Sequence, residues 1–156
     1  MENQGGTPRI AVIDGQGGGI GSAIIKKLKA VYGETVEIIA LGTNAIATSQ
    51  MLKAKANRGA SGENAIVQTV RQMDLVTGPM GIVMAHAMMG EVTPAMAAAV
   101  TAAPATKLLL PLSQENVAVV GVSSMPLPHL VDELVDNHIK QRLALPSLEQ
   151  SRSENV

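Results

Sequence analysis

Five of the seven residues from Gly15 to Gly21 are glycine: Gly15, Gly17, Gly18, Gly19 and Gly21. They follow the apolar run Ile10-Ala11-Val12-Ile13 and lead into Ser22-Ala23-Ile24-Ile25-Lys26-Lys27-Leu28, so a strand turns into a helix across them. At such a turn the first N–H groups of the helix have no intrahelical partner, and the helix dipole presents its positive end. Phosphate oxygens fit there when no Cβ intervenes. Glycine also supplies the positive φ that such a turn demands. The same glycines would serve a tight turn and close helix-to-strand packing, but five in seven positions exceed what packing needs. The expected cradle is Gly15, Gln16, Gly17, Gly18, Gly19, Ile20 and Gly21, with a phosphate on the N–H groups of Gly17 to Gly21.

Further candidates lie downstream. The second apolar run ends Leu41-Gly42-Thr43-Asn44, where Thr43 and Asn44 can make neutral hydrogen bonds to a ribose or base beside Gly42. No Asp or Glu stands there for a ribose hydroxyl, and no Arg follows for a 2′-phosphate until Arg58. Gly78-Pro79-Met80-Gly81 repeats the strand-to-helix turn, and Gly78, Pro79 and Met80 are expected to face the first one at the same sheet edge. The lysine of a Walker loop is missing, since Ile20-Gly21-Ser22 stands in its place. In the polar run from Asn57 to Asn64, Arg58 could neutralise a ligand phosphate while Ser61 or Asn64 bonds it, or the run is a solvated loop with a cap. His86 or Glu91 could move a proton. His129 and His138 lie in the last helix, His138 on its apolar stripe, and no pair of histidines has metal-ligand spacing. No nucleophile with its base and no metal set emerges. The implied ligand is a nucleotide whose identity stays open, NAD(P) among the candidates.

These residues need elements to hold them. Residues 9–13 read as a first strand, and Ile20, Ile24, Leu28 and Val31 recur at helical spacing until Gly33 caps the C terminus. Residues 36–41, apolar except Glu37, read as a strand buried on both faces. Strand, helix and strand within about 32 residues make a right-handed βαβ unit. A second helix is expected from Asn44 to about Ala56, and a third capped by Ser61 and carrying Ile66, Val70 and Met73. Residues 75–77 read as a third strand, 80–89 as a helix, and a further helix starts at Pro94 with Thr93 as cap. Residues 107–110 read as a fourth strand. Residues 117–122 read as a fifth, antiparallel one at an edge, because the short connection before them is too brief for a parallel crossover. The last helix, 127–143, shows Leu127, Leu130, Val131, Leu134, Val135 and Leu143 on one stripe.

Composition narrows the classes. With 156 residues and 46 % hydrophobic content, one core is expected. The formal net charge of −1 gives no attraction to a polyanion, and Tyr32 as the sole aromatic leaves no base-stacking platform, so nucleic acid is an unexpected ligand. The absence of cysteine excludes disulfides, thiolate metal sites and a thiol nucleophile. Uncharged stretches at 75–90 and 92–106 are shorter than a membrane span and broken by Gly and Pro. No membrane association and a cytoplasmic address are expected. Met80, Met84, Met88, Met89 and Met96 beside the Ala-rich run 95–103 form an adaptable apolar surface, part of it an expected homo-oligomer interface.

The strict G-x-G-x-x-G spacing fails, but Gly15, Gly19 and Gly21 meet G-x-x-x-G-x-G. That variant resembles the cofactor loop of short-chain dehydrogenase/reductases over about twenty residues. Their Tyr-x-x-x-Lys pair is absent, since Tyr32 is followed four positions on by Val36. A wider likeness spans most of residues 9–140. The runs IAVIDGQGGGIG, EIIALGTNAIATSQMLKAKANRGASGENAI, GPMGIVMAHAMMGEVTPAMA and VAVVGV resemble a family of short bacterial proteins classed as a domain of unknown function. That resemblance implies a Rossmann-like fold and no catalytic residues. The expectation is an α/β, Rossmann-like three-layer sandwich: a mostly parallel sheet of about five strands with an antiparallel edge strand. One nucleotide-binding domain would occupy 9–145, between a disordered lead at 1–8 and a flexible tail at 146–156. A non-catalytic sensor or accessory protein fits best. A small enzyme on a nucleotide or phosphorylated metabolite, and an assembly protein without a small ligand, are the alternatives.

Overall fold

The computed structural model describes residues 6–112 and 115–143, so the expectations for residues 1–5 and 144–156 lie outside the described residues. Period-two alternation builds its centre. In β1 (Arg9–Asp14), Ile10 and Val12 enter one apolar cluster while Ala11 and Ile13 enter another on the opposite face. β2 (Glu37–Gly42) divides in the same way, with Ile38 and Ala40 on the first face and Ile39 and Leu41 on the second. Strands buried on both faces need cover on both. α1 (Gly19–Tyr32) supplies Ile24, Ile25 and Leu28 to the first face, and α2 (Ala45–Lys53) adds Met51. α3 (Glu63–Thr69) and α4 (Pro94–Ala102) cover the second with Ile66, Met96, Ala97 and Val100.

β3 (Arg58–Ser61), β4 (Leu75–Pro79) and β5 (Thr106–Leu110) complete a sheet in the order β3-β2-β1-β4-β5, with every pairing parallel. The chain leaves β1 toward β2 on one side and later returns to β4 on the other. The strand order therefore reverses between β1 and β4, and the carboxyl ends of these strands border a crevice.

Two expected elements are replaced. The sheet is wholly parallel, and residues 117–122 form no antiparallel edge strand. Val122 N–H closes onto the Val119 carbonyl and Gly121 has φ 90°, so a turn interrupts the extended run. Val117, Ala118, Val119 and Val122 instead line a groove of about 230 Å³ with Met80 and Leu130. The fifth strand is β3, from the stretch Arg-Gly-Ala-Ser read as a polar loop. Its backbone pairs with β2 from Ile39 to Gly42 despite weak strand propensity. The N-cap of α3 is Gly62 at φ 97°, not Ser61, whose hydroxyl lies 2.7 Å from that of Thr48.

Residues 80–89 form a short 3₁₀ turn, Met80–Val83, followed by tight turns. His86, Met88, Met89 and Gly90 all have positive φ, which ends a right-handed helix. The last helix is continuous from α5 (Leu127–Asp132) through a π-helical stretch (Glu133–Ile139) into α6 (Lys140–Leu143). The wider π turn shifts the buried position by one, so His138 is exposed and Ile139 is buried.

Candidate functional site

At the carboxyl edge of β1 the glycine turn is arranged around Asp14, which is 4 % exposed. Its two oxygens accept the N–H groups of Gly15 (2.8 Å) and Gly21 (2.7 Å). Burial pushes the Asp14 pKa up. The N–H groups of Gly21, Gly15 and Ile20 oppose that rise, and the like charge of Glu91 adds to it. Of the amides from Gly17 to Gly21 expected to face a phosphate, two donate within the chain. A carboxylate of the chain itself holds Gly21, and the Gly18 N–H is spent on the Gly15 carbonyl.

The glycines fall into two groups. A Cβ on Gly15 would meet Thr43 Oγ1 at 2.5 Å and Met88 Sδ at 2.6 Å. Gly18 caps α1 at φ 72° against the Ala47 backbone, and a Cβ on Gly21 would meet Met51 Sδ at 2.5 Å. Gly42 is pressed against Thr48 Oγ1, and Gly78 against the Ile13 carbonyl at a φ of 156°. These five are accounted for by packing and backbone shape. Gly17 and Gly19 are different: both are exposed, neither has a positive φ, and a Cβ on either would meet nothing within 4 Å. Among the described residues their N–H groups donate to no acceptor.

Three expected ligand contacts do converge, and they converge on one atom. Oε1 of Glu91 accepts the Gln16 N–H (2.9 Å), the Thr43 hydroxyl (2.7 Å) and the Asn44 amide (2.6 Å). Asn44 also donates to the Gln16 carbonyl and caps α2 by accepting the Ala47 N–H. Partial burial works to raise the Glu91 pKa, but the bonds from Gln16, Thr43 and Asn44 outweigh it and hold the group below the usual glutamate range. Glu91 is ionised at neutral pH. It arrives on the turn at residues 84–92, which is closed by His86 N–H to the Val92 carbonyl and by Met88 N–H to Glu115 Oε1. In the sequence Glu91 stood out only as an acid/base candidate. Nothing local marks its role here, because the partners it joins lie 47, 48 and 75 positions away.

Other expected residues stand apart from this cluster. Ile20 packs half-buried on the first-face core. Gly78 and Pro79 belong to β4, and Met80 lines the groove beneath residues 117–125. Arg58 pairs with Glu37 at 2.6 Å, at the amino end of β3. Asn64 is exposed on α3, and His86 is exposed with φ 69°. Met96 is buried while Met89 is 95 % exposed, so the methionines form no single surface. A cavity of about 980 Å³ lies at the amino edge, lined by Arg9, Glu37, Asp74 and Thr106. There Arg9 N–H already bonds Asp74 and its side chain pairs with Glu37. The unpaired amides lie at the carboxyl edge, where parallel strands direct helix N termini. Among the described residues no group of three metal-ligating side chains is found, and no helix is long and apolar enough to cross a membrane.

An all-parallel 3-2-1-4-5 sheet covered on both faces, with a glycine turn opening the first helix, defines a Rossmann-like α/β protein. Residues 9–143 match the family described as Domain of unknown function (DUF3842), and the chain belongs to that family. No curated protein matches it.

Proposed function

We propose that the protein binds a nucleotide through a phosphate on the N–H groups of Gly17 and Gly19, as a sensor or accessory protein. One observation carries this reading: these two glycines are bare where neither packing nor backbone conformation requires it. A backbone kept free of Cβ beside open space, at the start of a 14-residue helix, suits the close approach of an anion. Gln16, Thr43 and Asn44 form a polar wall next to it. A binding role is favoured over catalysis because the two acidic groups bonded to the glycine turn, Asp14 and Glu91, hold it in shape. Asp14 is tied to backbone amides and Glu91 to three donors.

Thermal denaturation of the purified protein with a nucleotide panel tests the reading. The unfolding midpoint is expected to rise with at least one nucleotide. Gly19→Val, whose side chain has open space to occupy, is expected to keep its ligand-free midpoint and lose the response. If no nucleotide shifts the wild type, or the variant responds equally, the reading fails.

A second reading, an assembly protein, is favoured by Val117, Val119, Val120 and Val122, which are 46 to 99 % exposed in one uncharged run.

A further inference from the structure

Resting on the nucleotide reading above, we propose that Glu91 is the acceptor for the vicinal hydroxyls of a ribose, which makes the ligand a ribonucleotide. β2 ends in Gly42-Thr43-Asn44 and carries no acid of its own at this edge. The carboxylate comes instead from the turn at residues 84–92. Three donors fix its Oε1, and among the described residues nothing is bonded to Oε2. Oε2 is also absent from the buried side-chain atoms that lack a partner, so it reaches solvent. An oriented carboxylate with one saturated and one open oxygen accepts hydrogen bonds and can offer none. Its complement must be a donor. A phosphate, which is all acceptor at neutral pH, is unsuited to Oε2, whereas a pair of hydroxyls suits it.

Placement supports the same ligand. Gln16, whose N–H binds Oε1, directly precedes Gly17, so the open amides and the open carboxylate oxygen lie close enough to meet one molecule. Phosphate and sugar would occupy the two in succession. Ile46, two residues beyond Asn44 at the start of α2, is 67 % exposed and offers an apolar surface to the remainder of such a ligand. The turn carrying Glu91 holds His86, Met88 and Met89 at φ 69°, 57° and 57°, a cluster of left-handed non-glycine residues of the kind found where geometry serves binding.

Calorimetric titration with ADP, GDP, CDP and UDP and their 2′,3′-dideoxy counterparts tests the assignment on wild type and Glu91→Gln. Glutamine keeps an oxygen for the three donors and replaces the open acceptor with an amide. The wild type is expected to prefer a ribonucleotide over its dideoxy form by on the order of tenfold or more. Glu91→Gln is expected to erase that preference by weakening the ribonucleotide and leaving the dideoxy form unchanged. Equal binding of both forms by the wild type overturns the inference alone. So does tighter binding of both forms by Glu91→Gln, which would make Glu91 an internal plug held in the phosphate's place. Wild-type protein that binds none of the eight compounds overturns this inference, and the nucleotide reading falls with it when the wider thermal panel is also without response.

Discussion

Asp14 and Glu91 are two carboxylates at one strand edge whose surroundings drive them in opposite directions. The raised pKa of Asp14 means that the folded state holds its proton more tightly than the unfolded chain does. Its contribution to stability is present below the ordinary value of 3.8 and is lost as pH rises through the folded value. The lowered pKa of Glu91 acts with the opposite sign: its contribution is present above 4.5 and is lost as pH falls through the folded value. Urea unfolding at a series of pH values separates the two. The unfolding free energy of wild type minus that of Asp14→Asn is expected to fall with rising pH, and the difference from Glu91→Gln to climb as pH rises toward 4.5. Because Glu91 contributes to the rise at Asp14, Glu91→Gln should also move the Asp14 titration, followed by carboxyl NMR, toward its ordinary value. If the two differences run in parallel with pH, this account of the pair is wrong. Part of the cluster around Glu91 is legible at this scale, since Gln16, Thr43 and Asn44 are marked by adjacent glycines and strand ends. Asp14 was hidden because it reads as the last residue before a turn. Glu91 was hidden because only the folded chain brings it to residues 47 to 75 positions away.

Among the elements, the turn at residues 84–92 departs most from what composition suggests. Met84-Ala85-His86-Ala87-Met88-Met89 has strong helix formers, and propensity alone favours the helix expected there. Tertiary contacts prevail instead: Ala87 and Val92 are buried in the second-face core, Met88 lies against Gly15, and Glu91 is held by three donors. The left-handed residues are the cost of that geometry, about 1 to 2 kcal/mol for each residue that carries a Cβ. Met89 contributes nothing to packing at 95 % exposure, so Met89→Gly relieves strain without opening a cavity. After allowance for the extra freedom that glycine gives the unfolded chain, the variant is expected to be more stable by about 0.5 to 1 kcal/mol. Chemical denaturation checks this, and an unchanged or lower midpoint would show that the turn is not strained at Met89. The π-helical stretch at Glu133–Ile139 was likewise beyond the reach of pattern, since the apolar spacing fits an unbroken α-helix until His138 and Ile139 exchange places. α1, α2 and α4 were readable because their ends carry local chemistry: the glycine turn and Gly33, Asn44, and Thr93 before Pro94.

For the whole molecule, the alternation of strands and helices announces a parallel sheet, but its order cannot be read along the chain. β3 shows why: its four residues look like a loop until the open edge of β2 recruits their backbone. The stretch at 117–122 shows the converse. Val-Ala-Val-Val-Gly-Val has high strand propensity, yet it pairs with no strand of the sheet. Val117 and Val119 would share one face of an extended chain while Val120 and Val122 would share the other, and all four are at least 46 % exposed, so each face of the run keeps open apolar surface. Burying a single valine in full is worth roughly 1.5 to 3 kcal/mol, and monomeric proteins rarely leave such a contiguous apolar patch open. A second copy of the chain, most often related by a two-fold axis, is the simplest cover. Sedimentation velocity over a range of concentrations is therefore expected to show a dimer or higher oligomer. Val120→Lys, at a position 99 % exposed, is expected to shift the population toward monomer while leaving the dilute-limit unfolding midpoint unchanged. A wild type that stays monomeric at every concentration would remove both this interface and the assembly reading, and would leave the carboxyl edge of the sheet as the place to look for a partner.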